Sequence, residues 1–114
     1  MTNYQHTLSH FITQTRFEDL PKAVVDRTKL IIADSIGAIV GGAAEPEIRA
    51  LASRIAQGAT QQSTVIGMGL KTDVAQAALL NGSAGTFLEM DEGNQFCKGH
   101  PGMHTIPAAY AWAQ

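Results

Sequence analysis

The 114 residues have room for one small domain. Charged residues make up 16% and hydrophobic residues 45% of the chain, against about 25% charged in an average soluble protein, so the composition predicts extensive burial against a partner or further chain. A net charge of -2, with no Lys/Arg cluster larger than two in any short window, excludes the electrostatic footprint of a nucleic-acid binder.

The start, Met-Thr-Asn-Tyr-Gln-His, is polar and lacks the basic run ahead of an apolar stretch that a secretory signal needs. Leu8, Phe11 and Ile12 then fall at i, i+3, i+4 and predict a short amphipathic helix. Asp19-Leu20-Pro21 opens a second helix over about 21–40, stopped by Gly41-Gly42. Its second half is apolar nearly all round, which predicts the central helix of a bundle. Ala33, Gly37 and Gly41 form a small-residue stripe for close helix approach. The apolar stretch 30–44 is shorter than the ~20 residues a bilayer requires and contains Asp34, so it is not a membrane span. Asp34 itself is expected to be buried and structural, because a carboxylate in apolar surroundings needs hydrogen-bond partners.

Pro46 begins a third helix with Ile48, Leu51, Ala52 and Ile55 on one face, ended by Gly58. The β-branched run 63–67 predicts a short extended segment, and Gly67-Met68-Gly69 a turn rather than a phosphate loop. Thr72 or Asp73 caps a fourth helix carrying Val74, Ala77 and Ala78, which Asn81-Gly82 is expected to interrupt before Phe87 and Leu88. Three glycines and a proline between Glu92 and Ile106 predict a loop. Thr105 and Pro107 open a last helix that stops without a cap or a later element to pack on, so the chain reads as cut short. The expected fold is all-α, a helical bundle with one short extended segment.

The chemistry gathers in 81–104. Glu89, Asp91 and Glu92 alternate with Leu88 and Met90 and are followed by Lys98, His100 and His104. Carboxylates near apolar side chains and a histidine fixed by Pro101-Gly102 are the ingredients of acid–base chemistry near neutral pH. For each acid alone a solvated helix end is the simpler explanation, and a capping role competes for His100. Cys97, His100, His104 and Asp91 would offer ligands of zinc type, but their spacing matches no closed zinc motif, and a metal site is not expected. The lone Cys97 allows no intrachain disulfide and suits a reducing, cytoplasmic setting.

These pieces together resemble the N-terminal part of the MmgE/PrpD family, which includes 2-methylcitrate dehydratase, cis-aconitate decarboxylase and iminodisuccinate epimerase. The resemblance is carried by Asp34-Ser35-Ile36-Gly37 with Gly41-Gly42, by Ala77-Ala78-Leu79-Leu80-Asn81-Gly82, and by Pro107-Ala108-Ala109. Its most specific part is Leu88-Glu89-Met90-Asp91-Glu92-Gly93-Asn94 followed by Gly99-His100-Pro101. It spans about residues 5–114 and implies a large helical domain of which 1–114 is an incomplete N-terminal piece. It further implies homodimers among full-length relatives, a small polycarboxylate substrate, and no metal or organic cofactor. The implied reaction is dehydration of a 2-methylcitrate-like substrate, with epimerisation or decarboxylation as alternatives; a non-catalytic helical remnant or subunit-interaction module is the reading from another class. His100 and Asp91 are the implied catalytic residues, and Glu89, Asn94, Lys98 and His104 the implied substrate-binding ones, with Glu89 and Asp91 competing for the acidic position. The Asp91-Glu92-Gly93-Asn94 with Lys98-Gly99-His100-Pro101 variant resembles a subgroup distinct from the methylcitrate enzymes, and two departures from the family pattern stand out. Thr86 stands where many members have histidine, and Asp91-Glu92 where many have Asp-Asp.

Overall fold

Hydrophobic periodicity and caps set the elements of the computed structural model, which describes residues 3–96 and 98–114. Helix α1 (Tyr4–Gln14) opens at Asn3, whose side chain accepts from Gln5 N. A 3-10 turn (Phe17–Asp19) leads to Pro21, the N-cap of α2 (Lys22–Gly42). Helix α3 (Pro46–Ile55) buries Ile48 and Ala52 and half-buries Leu51 and Ile55, the expected stripe. Strands β1 (Ser63–Val65) and β2 (Leu70–Thr72) pair antiparallel, with Thr64 opposite Lys71. Gly67 and Gly69 take positive φ in the intervening turn. Helix α4 (Val74–Phe87) is capped by Asp73, whose carboxylate accepts from Gln76 N at 3.0 Å, and α5 (Pro101–Trp112) follows the acidic segment.

Helix α4, not α2, is the centre. It touches α2, α3, α5 and both strands. Its Ala84 joins Ala38, Ile39, Ala43, Ile48 and Met103 in one part of the core, and its Ala77 and Leu80 join Ala52, Val65 and Ala111 in the other. The apolar second half of α2 buries one face only, through Ser35, Ala38, Ile39 and Gly42, while Leu30 and Val40 remain 63% and 49% exposed. The stripe Ala33-Gly37-Gly41 is not the crossing point: a Cβ on Gly37 would meet nothing within 4 Å. The close approach is one residue further on, where a Cβ on Gly42 would stand 1.9 Å from the Ala84 carbonyl oxygen.

Asn81 does not break α4. Its Oδ1 accepts from Ile66 N at 2.9 Å and its Nδ2 donates to Thr64 O at 3.0 Å, so a polar side chain inside the helix completes the backbone bonding of the hairpin. The end of α5 is tied to the same strand, since Ser63 Oγ donates to Ala111 O at 3.0 Å and Gln114 Nε2 donates to Ser63 Oγ at 3.2 Å. The last helix therefore packs backwards on α4 and β1, while Trp112 stays 82% exposed.

At the other end, α1 buries no residue and α2 is mostly exposed up to Asp34. The radius of gyration is 16.1 Å, against about 13 Å for a compact domain of this length. The accessible surface is 8000 Å², where about 6000 Å² is usual for a compact chain of this mass. Tyr4, Leu8, Phe11, Ile12 and Phe17 contribute to this excess.

Candidate functional site

The acidic segment starts where α4 ends. Leu88 is the C-cap, and Glu89 continues at φ 51, donating its N–H to Thr86 O. Lys98 has φ 55, and these two are the only non-glycine residues at positive φ among the described residues. Left-handed backbone at non-glycine residues costs of order 1 kcal/mol or more, and such strain concentrates at functional sites. Between them Asn94 closes a tight loop. Its N–H donates to Gly99 O, its carbonyl accepts from Lys98 N, and its Oδ1 accepts from Phe96 N at 2.9 Å.

Helix α5 begins at Pro101, earlier than the sequence suggested. Proline fits the first helical position because its fixed φ suits the helix and its missing N–H would have no partner there. His100 is thereby the N-cap, and its side chain makes no capping hydrogen bond. The cap comes from Glu92, whose Oε1 accepts from Gly102 N. In the sequence Glu92 is one of three neighbouring acids. Its capping role has no local signature, because donor and acceptor lie ten residues apart.

Asp91, next to Glu92, meets the imidazole. His100 Nδ1 lies 3.2 Å from Asp91 Oδ2, with the histidine side chain 44% exposed and the aspartate 2% exposed. This is an ion-pair distance rather than an aligned hydrogen bond, and Oδ2 accepts no hydrogen bond among the described residues. A buried carboxylate thus lies at the Nδ1 edge of a half-exposed ring. A shallow depression lined by Gly93, Asn94, Gln95, Lys98, Gly99 and His100 opens beside the ring. It brings Asn94, Lys98 and His100 together, with Asp91 at the histidine.

Glu89 and His104 do not line that depression; both are exposed, on the end of α4 and the first turns of α5. Asp34 is a correction. It is exposed, not buried, because it lies off the face that α2 turns to α4. With Arg27, Leu30, Ile31 and Glu92 it lines a second depression, so α2 walls the acidic segment with a cation and an acid that the sequence reading did not assign there. Among the described residues no three His, Cys, Asp or Glu side chains come together as a metal site. Cys97, weighed above as a ligand, lies outside the described residues. No described helix is long and apolar enough to cross a membrane.

The family model of the MmgE/PrpD N-terminal domain matches residues 6–114. The chain belongs to the MmgE/PrpD family. No curated protein and no solved structure was found to match it. The match to the MmgE/PrpD domain takes in the whole helical core, the acidic segment and all of α5.

Proposed function

We propose that this MmgE/PrpD chain contributes the proton-transfer part of a lyase site for a small polycarboxylate, with dehydration of a 2-methylcitrate-like substrate as the leading reaction. The observation that carries the reading is the buried Asp91 carboxylate 3.2 Å from the ring of half-exposed His100. With Nδ1 turned to Asp91, Nε2 is the nitrogen left to exchange a proton with a ligand. Removal of a proton beside a carboxylate leaves an enolate-like anion, and loss of hydroxide from the neighbouring carbon, with a proton, completes the dehydration. Asp91 orients the ring, as a carboxylate does for a general-base histidine. Lys98, on the rim of the depression, supplies positive charge for a substrate carboxylate, and Asn94 shapes the loop that carries it. The same proton transfer serves epimerisation, and the same anion follows decarboxylation, so both remain alternatives within the family.

The test is to incubate the full-length protein in D2O with citrate-like tricarboxylates and substituted dicarboxylates, followed by NMR. Conversion, or deuterium uptake at a carbon beside a carboxylate, supports the proposal. No exchange and no conversion across that set counts against it.

A second reading, association with another chain or with further parts of a larger helical fold, is favoured by the apolar surface on α1 and α2. Sedimentation of the 114-residue chain tests it. A monomer at all concentrations that binds no hydrophobic dye would dismiss it.

A further inference from the structure

We propose that Glu92 is a positioning residue for His100, capping α5 from outside the helix so that the N-cap side chain is left free for proton transfer. The functional meaning of this inference rests on the reading of His100 given above.

At an ordinary helix start the N-cap side chain accepts from the N–H of the second or third helical residue. Here the N-cap is His100, and its ring does not do so. Were the imidazole to cap α5, a ring nitrogen would be bound to a backbone amide and turned from Asp91. Pro101 removes one of the first-turn donors, and the next, Gly102 N, is taken by Glu92 Oε1. A carboxylate at this position is also favoured by the positive end of the helix dipole. The approach depends on glycine. A Cβ on Gly102 would stand 2.5 Å from Glu92 Oε1, 3.0 Å from its Cγ and 3.1 Å from its Cδ.

Neighbouring acids thus divide the work at one helix end. Asp91 faces the ring, while Glu92 holds the backbone two residues beyond it. Because His100 stands on that backbone, release of Glu92 moves the imidazole relative to Asp91 without touching either side chain. A site held on a rigid element by an outer shell of hydrogen bonds behaves in this way.

The test compares wild type with Glu92→Ala, Glu92→Gln, Gly102→Ala and the Glu92→Ala/Gly102→Ala double variant in the full-length chain. The readouts are thermal melts and the ¹⁵N and ¹³C ring signals of His100. The exposed His6 and His10 on α1 serve as references within the chain. Glu92→Ala should move the His100 signals toward those of His6 and His10. Glu92→Gln should hold them near wild type, because its amide oxygen still accepts from Gly102 N. Gly102→Ala should lower the melting temperature when Glu92 is present and not when it is absent, since alanine is the better helix former once the clash is gone. Unmoved His100 signals in Glu92→Ala would reduce Glu92 to a structural cap and overturn the inference; so would equal losses from Gly102→Ala in both backgrounds. If Glu92→Ala does not fold, Gly102→Ala alone carries the test, because it displaces the carboxylate without removing it. These readouts do not depend on turnover. An active His100→Ala variant would therefore sink the proposed function while leaving the positioning result legible. Where turnover is measurable, Glu92→Ala should lower kcat by roughly tenfold or more with KM nearly unchanged, the expected scale for a misplaced catalytic group.

Discussion

The imidazole of His100 stands 3.2 Å from a carboxylate, Asp91, whose own side chain is almost wholly shielded from water. Both residues belong to the segment 88–100 that connects α4 to α5. Their meeting depends on where each helix is capped. Asp91 follows the turn at Glu89, and His100 precedes the proline that starts α5.

For His100→Ala in the full-length protein we expect turnover to fall by roughly two orders of magnitude or more, the scale of a general acid–base group. The melting temperature should hardly change, because the ring is half exposed and does not cap the helix. His104→Ala should cost less turnover, as His104 does not line the depression at His100. Steady-state kinetics on both variants decides the matter; a silent His100→Ala beside a dead His104→Ala would place the chemistry one helical turn further on.

Asp91→Asn should lower turnover strongly while urea denaturation shows unchanged or raised stability. The carboxylate oxygen facing His100 accepts no hydrogen bond among the described residues, so folding bears the cost of burying a charge that a neutral amide removes. Asp34→Asn is the contrasting control. Asp34 is exposed, and its substitution should stay within about 0.5 kcal/mol. A larger loss there would restore the structural role suggested by its apolar sequence neighbours.

Asn81→Ala should destabilise the chain by roughly 2–5 kcal/mol, because it strips partners from Ile66 N and Thr64 O at once. Equilibrium denaturation measures the cost. A loss below about 1 kcal/mol would mean that water replaces both bonds without penalty.

Two glycines on α2 should respond with opposite signs. Gly42→Ala drives a methyl into the Ala84 carbonyl and should cost about 1–3 kcal/mol or more. Gly37→Ala meets open space and should stabilise by about 0.5–1 kcal/mol through helix propensity alone. Thermal melts of the pair check this; equal signs would mean that the α2–α4 crossing is not as close as described.

Much of this was legible in the sequence wherever one periodic face or one local cap decided the outcome. The stripe of α3, the Asp73 cap and the glycine turn at 67–69 are of that kind. What was not legible depended on distant partners. Asn81-Gly82 looks like a break until β1 supplies a donor and an acceptor to the asparagine, while Gly82 lies beside Met103 and Pro107 of α5. Pro101-Gly102 reads equally as a turn or as the first two helical residues, and the choice is made by Glu92, ten residues upstream. Strand β2 is three residues long with Lys71 in its middle, too short to alternate. The apolarity of α2 said that surface must be covered without saying which helix would cover it. At the acidic segment, residue types offered three acids and two histidines, and nothing local showed that Asp91 lies beside His100 while Glu92 caps α5.

Helix α1 spans 11 residues and buries none of them. Isolated helices shorter than about 12–15 residues are marginal in water, and one N-cap bond from Asn3 does little to change that. Its helicity should therefore be marginal while Leu8, Phe11 and Ile12 stay exposed. Amide exchange along the chain should fall into two regimes, slow at Leu80 and Ala84 in α4 and near the unprotected limit at 4–14. Protection gained in α1 as a covering surface is added would make that segment a built-in gauge of assembly.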